Sequence, residues 1–434
     1  MRKLQLLLSL VLLTGAGTTC LAANSEDLAR ENAELKQKVE KLDKDLEELR
    51  KIVIPQAEAN GSQSTKIAFS DLDIQLYGYL KFDASYDSSQ INNGNFAQWV
   101  ERENANKNDE QFNMTANQSR FGVKINGTDS GAMKTSGRAE VDFYGGSNEN
   151  KAHLMMRHAY MKMDWIEDRF NIIAGQTSDV ISPLFPSTVN YSVGWWTGNI
   201  GYRRPQIRLT KELGFETGGF LKLEGALART IGRDNIYLEG TTDSGEDAGF
   251  PTLQGRASIT LPTLGDQEAT IGLSAHWGEE EYDIDYTGRD KEFSTWSLNL
   301  DYTQPICKKV KIKAELFTGE NLSAYLGGIG QGVITNPALP NYYEEIGSAG
   351  GWIAASLGPW DKMRFNVGGG IDDVESGNIN TGDRSMNRSI FGNMFYTFNN
   401  NTQWALELSH WRTEYYGPGD SDSLRVQTAF IYKF

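Results

Sequence analysis

The chain has 434 residues, among them 45 glycines and 11 prolines, with a net charge of -15 at pH 7 and a mean hydropathy of -0.48. This length suffices for one large domain with an appendage, and we expect neither a cofactor nor a nucleic-acid partner. Beyond the N-terminal leader no run of about 20 apolar residues occurs, which excludes a transmembrane helix there but not membrane strands, whose hydropathy signal is weak.

The N-terminal segment, residues 1–23, has the parts of a secretory signal peptide. Arg2 and Lys3 provide a positive start, residues 4–13 form a short apolar run, and small residues near Ala23 provide a cleavage site. We therefore expect this segment to be removed on export.

Cys20 raises the alternative of a lipoprotein signal, but Thr19 stands where a small Gly or Ala is expected. If Cys20 is removed with the signal peptide, Cys307 is the only thiol. The mature chain then has neither a disulfide framework nor a cysteine metal site.

Residues 24–54 show the heptad pattern of a coiled coil. Charges at the flanking positions, such as Glu31 and Lys36, are opposite in sign between identical parallel helices, so we expect a parallel homo-oligomer. Val at position a with Leu at d favours two strands in isolated peptides, which leaves dimer and trimer open. A single amphipathic helix packed on its own domain is the alternative. The predicted core positions are Leu28, Asn32, Leu35, Val39, Leu42, Leu46 and Leu49.

After Pro55, which ends the helix, residues 55–70 are a polar linker. Residues 71–434 then contain about 16 segments in which apolar and polar residues alternate, as in strands with two different faces. In "KKVKIKAELF", for example, the apolar residues alternate with lysines, including Lys311 and Lys313. A Lys or Arg that faces lipid at mid-bilayer costs roughly 2–4 kcal/mol, so in a membrane barrel the charged face must line the lumen. A soluble all-β sandwich or propeller is the alternative.

The connections between these segments alternate between long and short, which is typical of an outer-membrane barrel. An even strand number places both ends of the barrel at the short-turn, periplasmic end. The sequence therefore predicts an all-β transmembrane barrel of about 16 antiparallel strands, preceded by an N-terminal α-helical coiled coil. The predicted long loops are 88–112, 178–204, 230–252, 278–291, 319–349, 373–387 and 412–422.

Several phrases occur together and in order: "LYGYLKFDASYD", "SRFGVKING", "GRAEVDFYG", "MRHAYMKMDW", "AGQTSD" and "RRPQIRLT". With the heptad helix and the terminal Phe434, the chain resembles the DcaP-like trimeric porins of Gram-negative outer membranes. The resemblance spans residues 24–434, is clearest over 70–210 and weakens past 250. It implies a homotrimer of 16-stranded barrels with a periplasmic coiled coil, in contact with outer-membrane lipid and lipopolysaccharide. It also implies passive uptake of small anions such as dicarboxylates, and the phosphate-selective porins are a neighbouring possibility.

The third long loop, "VISPLFPSTVNYSVGWWTGNIGYR", would fold into the barrel and narrow the channel, as the resemblance implies. Pro183, Phe185, Trp195 and Trp196 are its candidate constriction residues, because prolines and large aromatic rings make a stiff, packed insert. The alternative is an extracellular loop packed at the trimer contact.

Basic residues on the predicted lumen face would favour anions in a low-dielectric pore. Lumen carboxylates such as Glu140, Asp142, Glu224, Asp301 and Glu315 leave an alternative open, in which Arg and Glu pair across neighbouring strands. The predicted pore-lining and anion-binding residues are Arg120, Lys124, Arg138, Arg157, Arg204, Arg208, Lys222, Arg256 and Arg364, and Lys311, Lys313 and Arg425 are further candidates.

The sequence has no G-x-S-x-G, H-E-x-x-H or P-loop motif, and no catalytic set can be assembled, so we predict no enzyme. Two functions from different classes remain. The first is a passive channel for small hydrophilic solutes that prefers anions. The second is a structural anchor whose coiled coil tethers the outer membrane to peptidoglycan.

Overall fold

The computed structural model describes most of the chain from residue 73 onward. The predicted signal peptide, coiled coil and linker, residues 1–70, lie outside the described residues. Within the described part, no helix is long and apolar enough to cross a bilayer. The described residues are 73–103, 109–127, 131–146, 152–216, 218–232, 236–238, 241–263, 267–283, 290–335 and 343–434.

Sixteen antiparallel strands form one closed barrel, as the alternating segments predict. The second strand is interrupted after Thr115 and resumes at Arg120, and both of its parts pair with the first strand. In chain order the strands are β1 (Asp73–Asp87), β2 (Gln111–Thr115 and Arg120–Asn126), β3 (Met133–Asp142), β4 (Met155–Trp165), β5 (Phe170–Ser178), β6 (Arg203–Gly214), β7 (Phe220–Ala228), β8 (Thr252–Thr263), β9 (Gln267–Asp283), β10 (Asp290–Cys307), β11 (Val310–Glu320), β12 (Gly347–Trp360), β13 (Met363–Val374), β14 (Arg384–Thr397), β15 (Thr402–Tyr415) and β16 (Gly419–Lys433).

The barrel closes where β16 pairs with β1. The register runs from Asp87 opposite Arg425 to Tyr79 opposite Lys433. Beyond it, Phe434 and Gly78 exchange both backbone hydrogen bonds at 3.1 Å. Closure leaves the sheet without a free edge, which removes the row of unpaired N–H and C=O groups that an open sheet exposes.

Shorter elements lie in the long connections. Two hairpins are formed by Ile236–Leu238 with Thr241–Asp243 and by Val333–Thr335 with Tyr343–Glu345. The 3-10 turns are Ser323–Tyr325, Gly328–Gly330 and Ser376–Asn378.

Three of the predicted long loops are wrong in extent, because the flanking strands continue further than the sequence pattern indicates. Strand β9 continues to Asp283 and β10 starts at Asp290, so the predicted loop 278–291 is mostly strand. Likewise β15 reaches Tyr415 and β16 begins at Gly419, within the predicted loop 412–422. The loop predicted at 373–387 shortens in the same way, to the residues between β13 and β14.

Candidate functional site

The two faces of the barrel differ in polarity. On β1 the inward Lys81 is 4% exposed, whereas its outward neighbour Phe82 is 42% exposed. Asp83 and Ser85 continue the buried inward row, and Leu80 belongs to the exposed outward row. A closed barrel with this alternation encloses a polar lumen, which is the candidate functional site.

Residues 179–202, which connect β5 to β6 and are called the inner loop here, lie inside the barrel. Val180 N–H donates to Gln254 Oε1 on β8 at 2.8 Å. Leu184 N–H donates to Glu315 Oε1 on β11, also at 2.8 Å. The loop therefore crosses the lumen and is held by side chains of the inner wall.

A second anchor of the inner loop lies on β15. Glu407 accepts the N–H groups of Val189 at 2.6 Å and Asn190 at 3.3 Å, and its own carboxylate is buried. From β1, Lys81 Nζ donates to the Val189 carbonyl at 2.7 Å. Buried backbone N–H and C=O groups need hydrogen-bond partners. Here the loop backbone has no strand beside it, and charged side chains of the wall supply these partners.

Glycines allow the inner loop to lie directly on β12 and β13. Gly198 has a φ of 109°, and a Cβ there would lie 2.1 Å from the Gly351 carbonyl oxygen. A Cβ on Gly370 would lie 2.1 Å from the Thr197 carbonyl oxygen. Any larger residue at these two glycines would push the loop away from the wall.

The four predicted constriction residues occupy different environments. Pro183 and Phe185 are exposed, Phe185 to 38%. Trp195 and Trp196 are buried in an aromatic cluster with Phe96 of the loop that joins β1 to β2. Pro183 and Phe185 are thus the exposed pair of the predicted set, whereas the two tryptophans pack within the loop and border a cavity only with their edges.

Three predicted arginines converge on one carboxylate of β3. Glu140 contacts Arg138 at 2.6 Å, Arg157 at 2.9 Å and Arg120 at 3.4 Å. Arg157 also contacts Asp142 at 2.7 Å. The cross-strand pairing considered as an alternative is therefore present, but three cations share two anions, which leaves one positive charge in excess.

Two further predicted cations, on β7 and β8, are neutralised by carboxylates of β7 and β10. Arg256 lies between Glu224 at 2.9 Å and Asp301 at 2.8 Å. Lys222 contacts Glu224 at 3.0 Å. These two cations and two anions cancel.

Arg204 does not face open lumen. Its Nε lies 2.8 Å from Asp179 Oδ1, and its guanidinium lies 3.9 Å from the centre of the Tyr325 ring. The side chain is 1% exposed. Arg204 therefore fixes the start of the inner loop rather than lining the path of a solute.

The remaining predicted cations, Lys124, Arg208 and Arg364, have no carboxylate at ion-pair distance within the described part of the chain. Arg208 Nε donates to Gln206 Oε1 at 3.0 Å, and Lys124 Nζ lies 5.1 Å from the Tyr77 ring. Neither contact neutralises a charge. These three cations therefore keep their positive charge without a carboxylate partner in the described residues.

Two functional residues were not in the predicted set. Arg203 is buried to 5% exposure, has no carboxylate partner among the described residues, and stacks on Tyr202 at 4.8 Å. Successive side chains of a strand point to opposite faces, so the sequence analysis could assign only one of Arg203 and Arg204 to the lumen, and it assigned Arg204. Glu407 was missed because a single glutamate on a lumen face gives no sign that it holds a loop.

Tyr191 links the inner loop to the arginine cluster. Burial raises the pKa of Tyr191 to about 12, so its hydroxyl is neutral at physiological pH. It donates to Asp142 Oδ2 at 3.3 Å and accepts from Arg157 Nη1 at 3.4 Å. The hydroxyl thereby holds the loop next to the excess positive charge.

Within the described residues, one group of acidic side chains has the spacing of metal ligands. The carboxylates of Asp243, Asp247 and Asp283 have oxygens within 4.8 Å of one another. Asp247 and Asp283 are exposed. Exposed carboxylates often group in this way without an ion, so we assign them no metal.

Comparison with known proteins identifies related sequences and folds. The family model of the DcaP outer membrane protein matches residues 23–226, which confirms the resemblance that the ordered phrases indicate. The crystal structure of the outer membrane channel DcaP of Acinetobacter baumannii superimposes with a TM-score of 0.68 at 20% identity, over 84% of this chain and 97% of that chain. None of the curated protein sequences matches significantly.

Two other solved structures share the fold at lower similarity. An anion-selective porin from Comamonas acidovorans matches with a TM-score of 0.53 at 12% identity, over 84% of this chain and 100% of that one. Salmonella typhi OmpF, in complex with daunomycin, matches with a TM-score of 0.51 at 12% identity, over 83% and 97%. At these identities the likeness is one of fold.

Proposed function

From the match to the DcaP outer membrane proteins, we propose that this chain is an outer-membrane porin. It lets small hydrophilic solutes diffuse passively and prefers anions, dicarboxylates among them. The observation that carries the anion preference is the positive excess of the lumen wall. Three arginines around Glu140 share two carboxylates, and Lys124 and Arg208 have no ion-pair partner in the described chain.

The acidic residues of the lumen do not cancel this excess where a solute passes. Glu315 and Glu407 are buried, and their oxygens accept N–H groups of the inner loop. Asp372 on β13 is buried in the same way and accepts the N–H of Ile329 at 3.2 Å. The covered carboxylates face the loops, whereas the unpaired cations face the open lumen.

A small dianion suits this arrangement. Basic groups in a narrow, low-dielectric passage attract anions, and separate cations let a solute move from one contact to the next without being trapped. Arg208 and the Arg120, Arg138 and Arg157 cluster supply such separate contacts. The inner loop narrows the passage, with Pro183 and Phe185 exposed on it.

The test is a reversal-potential measurement on the purified protein in a planar bilayer with a KCl gradient. We expect stepwise conductance and a reversal potential of the sign that chloride permeation gives. Addition of succinate or phosphate should reduce the chloride current, and a stronger effect of phosphate would favour a phosphate-selective porin. Cation selectivity would overturn the anion preference.

The second candidate function, a structural anchor, makes a different prediction in the same experiment. A barrel that serves only as an anchor gives no stepwise current, and its coiled coil, residues 24–54, retains peptidoglycan in a pull-down. Conductance without peptidoglycan binding supports the porin alone.

We also propose the assembly. The heptad pattern of residues 24–54 supports a parallel homo-oligomer with the coiled coil in the periplasm, and the resemblance to the DcaP-like trimeric porins supports three subunits. The exposed apolar outward face supports contact with outer-membrane lipid and lipopolysaccharide, since Leu76, Phe112 and Ile390 are among its most exposed side chains. The molecular mass of the protein in detergent tests the subunit number.

A further inference from the structure

A cavity of about 350 Å³ lies at the long-loop end of the barrel. It is bordered by the loop between β1 and β2, by the inner loop and by the start of β4, and we call it the vestibule pocket. Six aromatic side chains and five amide side chains line it, and no acidic or basic side chain does. Its volume lies in the range of small-molecule sites, whose walls combine apolar surface with a few polar groups.

Two of the amide-bearing residues of this pocket have a backbone fixed by a hydrogen bond and a side-chain amide without a hydrogen-bond partner in the described residues. Gln98 is 7% exposed, and its backbone carbonyl accepts a hydrogen bond from Asn387 Nδ2 at 2.7 Å, but its side-chain amide has no partner among the described residues. Asn117 is fixed by its own backbone, which accepts from Phe143 N–H at 3.0 Å, and its side-chain amide is likewise unpartnered in the described chain. Asn117 is half-buried, and neither side-chain amide is enclosed, so both amides can donate to and accept from a ligand in the pocket.

The aromatic side chains provide flat apolar walls. The rings of Trp195 and Tyr202 meet at 65° with centroids 6.2 Å apart. The nearby charged residues do not line the pocket: Arg203 stacks on Tyr202, and Arg157 is paired with Asp142. The solute therefore meets aromatic faces and amide groups, and no charge at first contact.

We propose that the vestibule pocket binds a neutral polyhydroxylated solute of mono- or disaccharide size. The C–H faces of a pyranose ring pack on aromatic rings, while amides donate to and accept from its hydroxyls. This chemistry differs from that of the arginine cluster deeper in the lumen. The site is therefore additional to the proposed passage of anions and does not depend on it.

The experiment is a titration of the tryptophan fluorescence of the purified detergent-solubilised protein, because Trp195 lines the pocket. Sucrose and maltose should give saturable changes, whereas succinate at the same concentrations should not. The double substitution Gln98→Ala and Asn117→Ala should weaken sugar binding about tenfold, since it removes hydrogen bonds from two side chains. Asn113→Ala is the matched control, because Asn113 lies in the part of β2 just before the interruption that contains Asn117 and does not line the pocket.

Three outcomes would overturn the proposal: no saturable change with either sugar, succinate binding as tight as sugar binding, or unchanged sugar affinity in the double variant. Succinate binding would make the pocket an anion subsite supplied by Arg203. If the double variant does not fold, Asn117→Ser replaces it, with the same expected direction. Bilayer conductance of the same preparation tests the porin function separately, so either idea can fail alone.

Discussion

At the scale of single residues, ion pairing decides which lumen cations act on a solute. Arg256 and Arg204 have carboxylates at 2.8 Å, whereas Arg208 contacts only neutral oxygens of Gln206 and Ser178. A neutralised guanidinium contributes little to the potential of the pore, and an unpaired one contributes its full charge. Selectivity should therefore depend more on Arg208 than on the buried pairs.

We predict that Arg208→Gln lowers the ratio of anion to cation permeability by roughly twofold, because it removes one unpaired charge from a low-dielectric passage. The measurement is the reversal potential in a KCl gradient. Arg388→Gln is the matched control, since Arg388 is an exposed arginine on β14 in register with the outward Ile371. Equal shifts in both variants would contradict a role of the lumen charge.

At the scale of elements, side chains from several strands of the wall hold the inner loop. Glu407 accepts two of its N–H groups, and a buried N–H that loses its acceptor costs about 1–3 kcal/mol. We predict that Glu407→Ala loosens the loop, so that single-channel conductance becomes larger and noisier while the barrel stays folded. The measurement is single-channel recording, with circular dichroism as the check on folding.

Glu268→Ala provides the comparison for this prediction, because Glu268 is an exposed glutamate near the short-turn end of β9. It should leave conductance unchanged. If Glu407→Ala leaves the current steps and their noise as in the unmodified protein, the loop does not narrow the passage.

The strands themselves were predictable from the sequence, but some of their ends were not. In the middle of each strand, apolar and polar residues alternate because one face is apolar and the other lines a polar lumen. After Trp277 the strand β9 continues with Glu279 and Glu281 on the outward face and Glu280 on the inward face. Because charged residues then stand on both faces, the alternation disappears, while backbone pairing with β10 continues. That is why the predicted loop 278–291 was wrong.

The sequence predicted which residues belong to the candidate site, but it did not predict how the inner loop is attached to them. Alternation placed Arg138 and Glu140 on the lumen face, and the structure shows them in contact at 2.6 Å. The inner loop is held by backbone N–H groups bound to Glu315 and Glu407, and such contacts leave no periodicity in either partner. Local sequence pattern reports which face a residue occupies, whereas the route of a loop depends on distant partners.

At the scale of the whole molecule, the barrel completes its own sheet. The barrel closes on itself through the pairing of β1 with β16. Its hydrogen-bonded ladder runs within one chain, so each barrel needs no partner to complete its sheet. Association of barrels must then depend on surfaces outside the ladder, for which residues 24–54 are the sequence-based candidate.

We predict that deletion of residues 24–54 leaves each barrel folded and conducting but lowers the temperature at which the proposed trimer dissociates. The reason is that the proposed parallel coil would link the three chains and add to the contacts between their barrels. The measurement is native electrophoresis after stepwise heating in mild detergent.

Two variants of full length serve as checks. The double variant Leu35→Ser and Leu42→Ser should behave like the deletion, whereas Glu40→Gln, a substitution outside the predicted core, should not. Unchanged dissociation in both the deletion and the double Ser variant would contradict the role of the coil and leave the outward face of the barrel as the surface that joins the subunits.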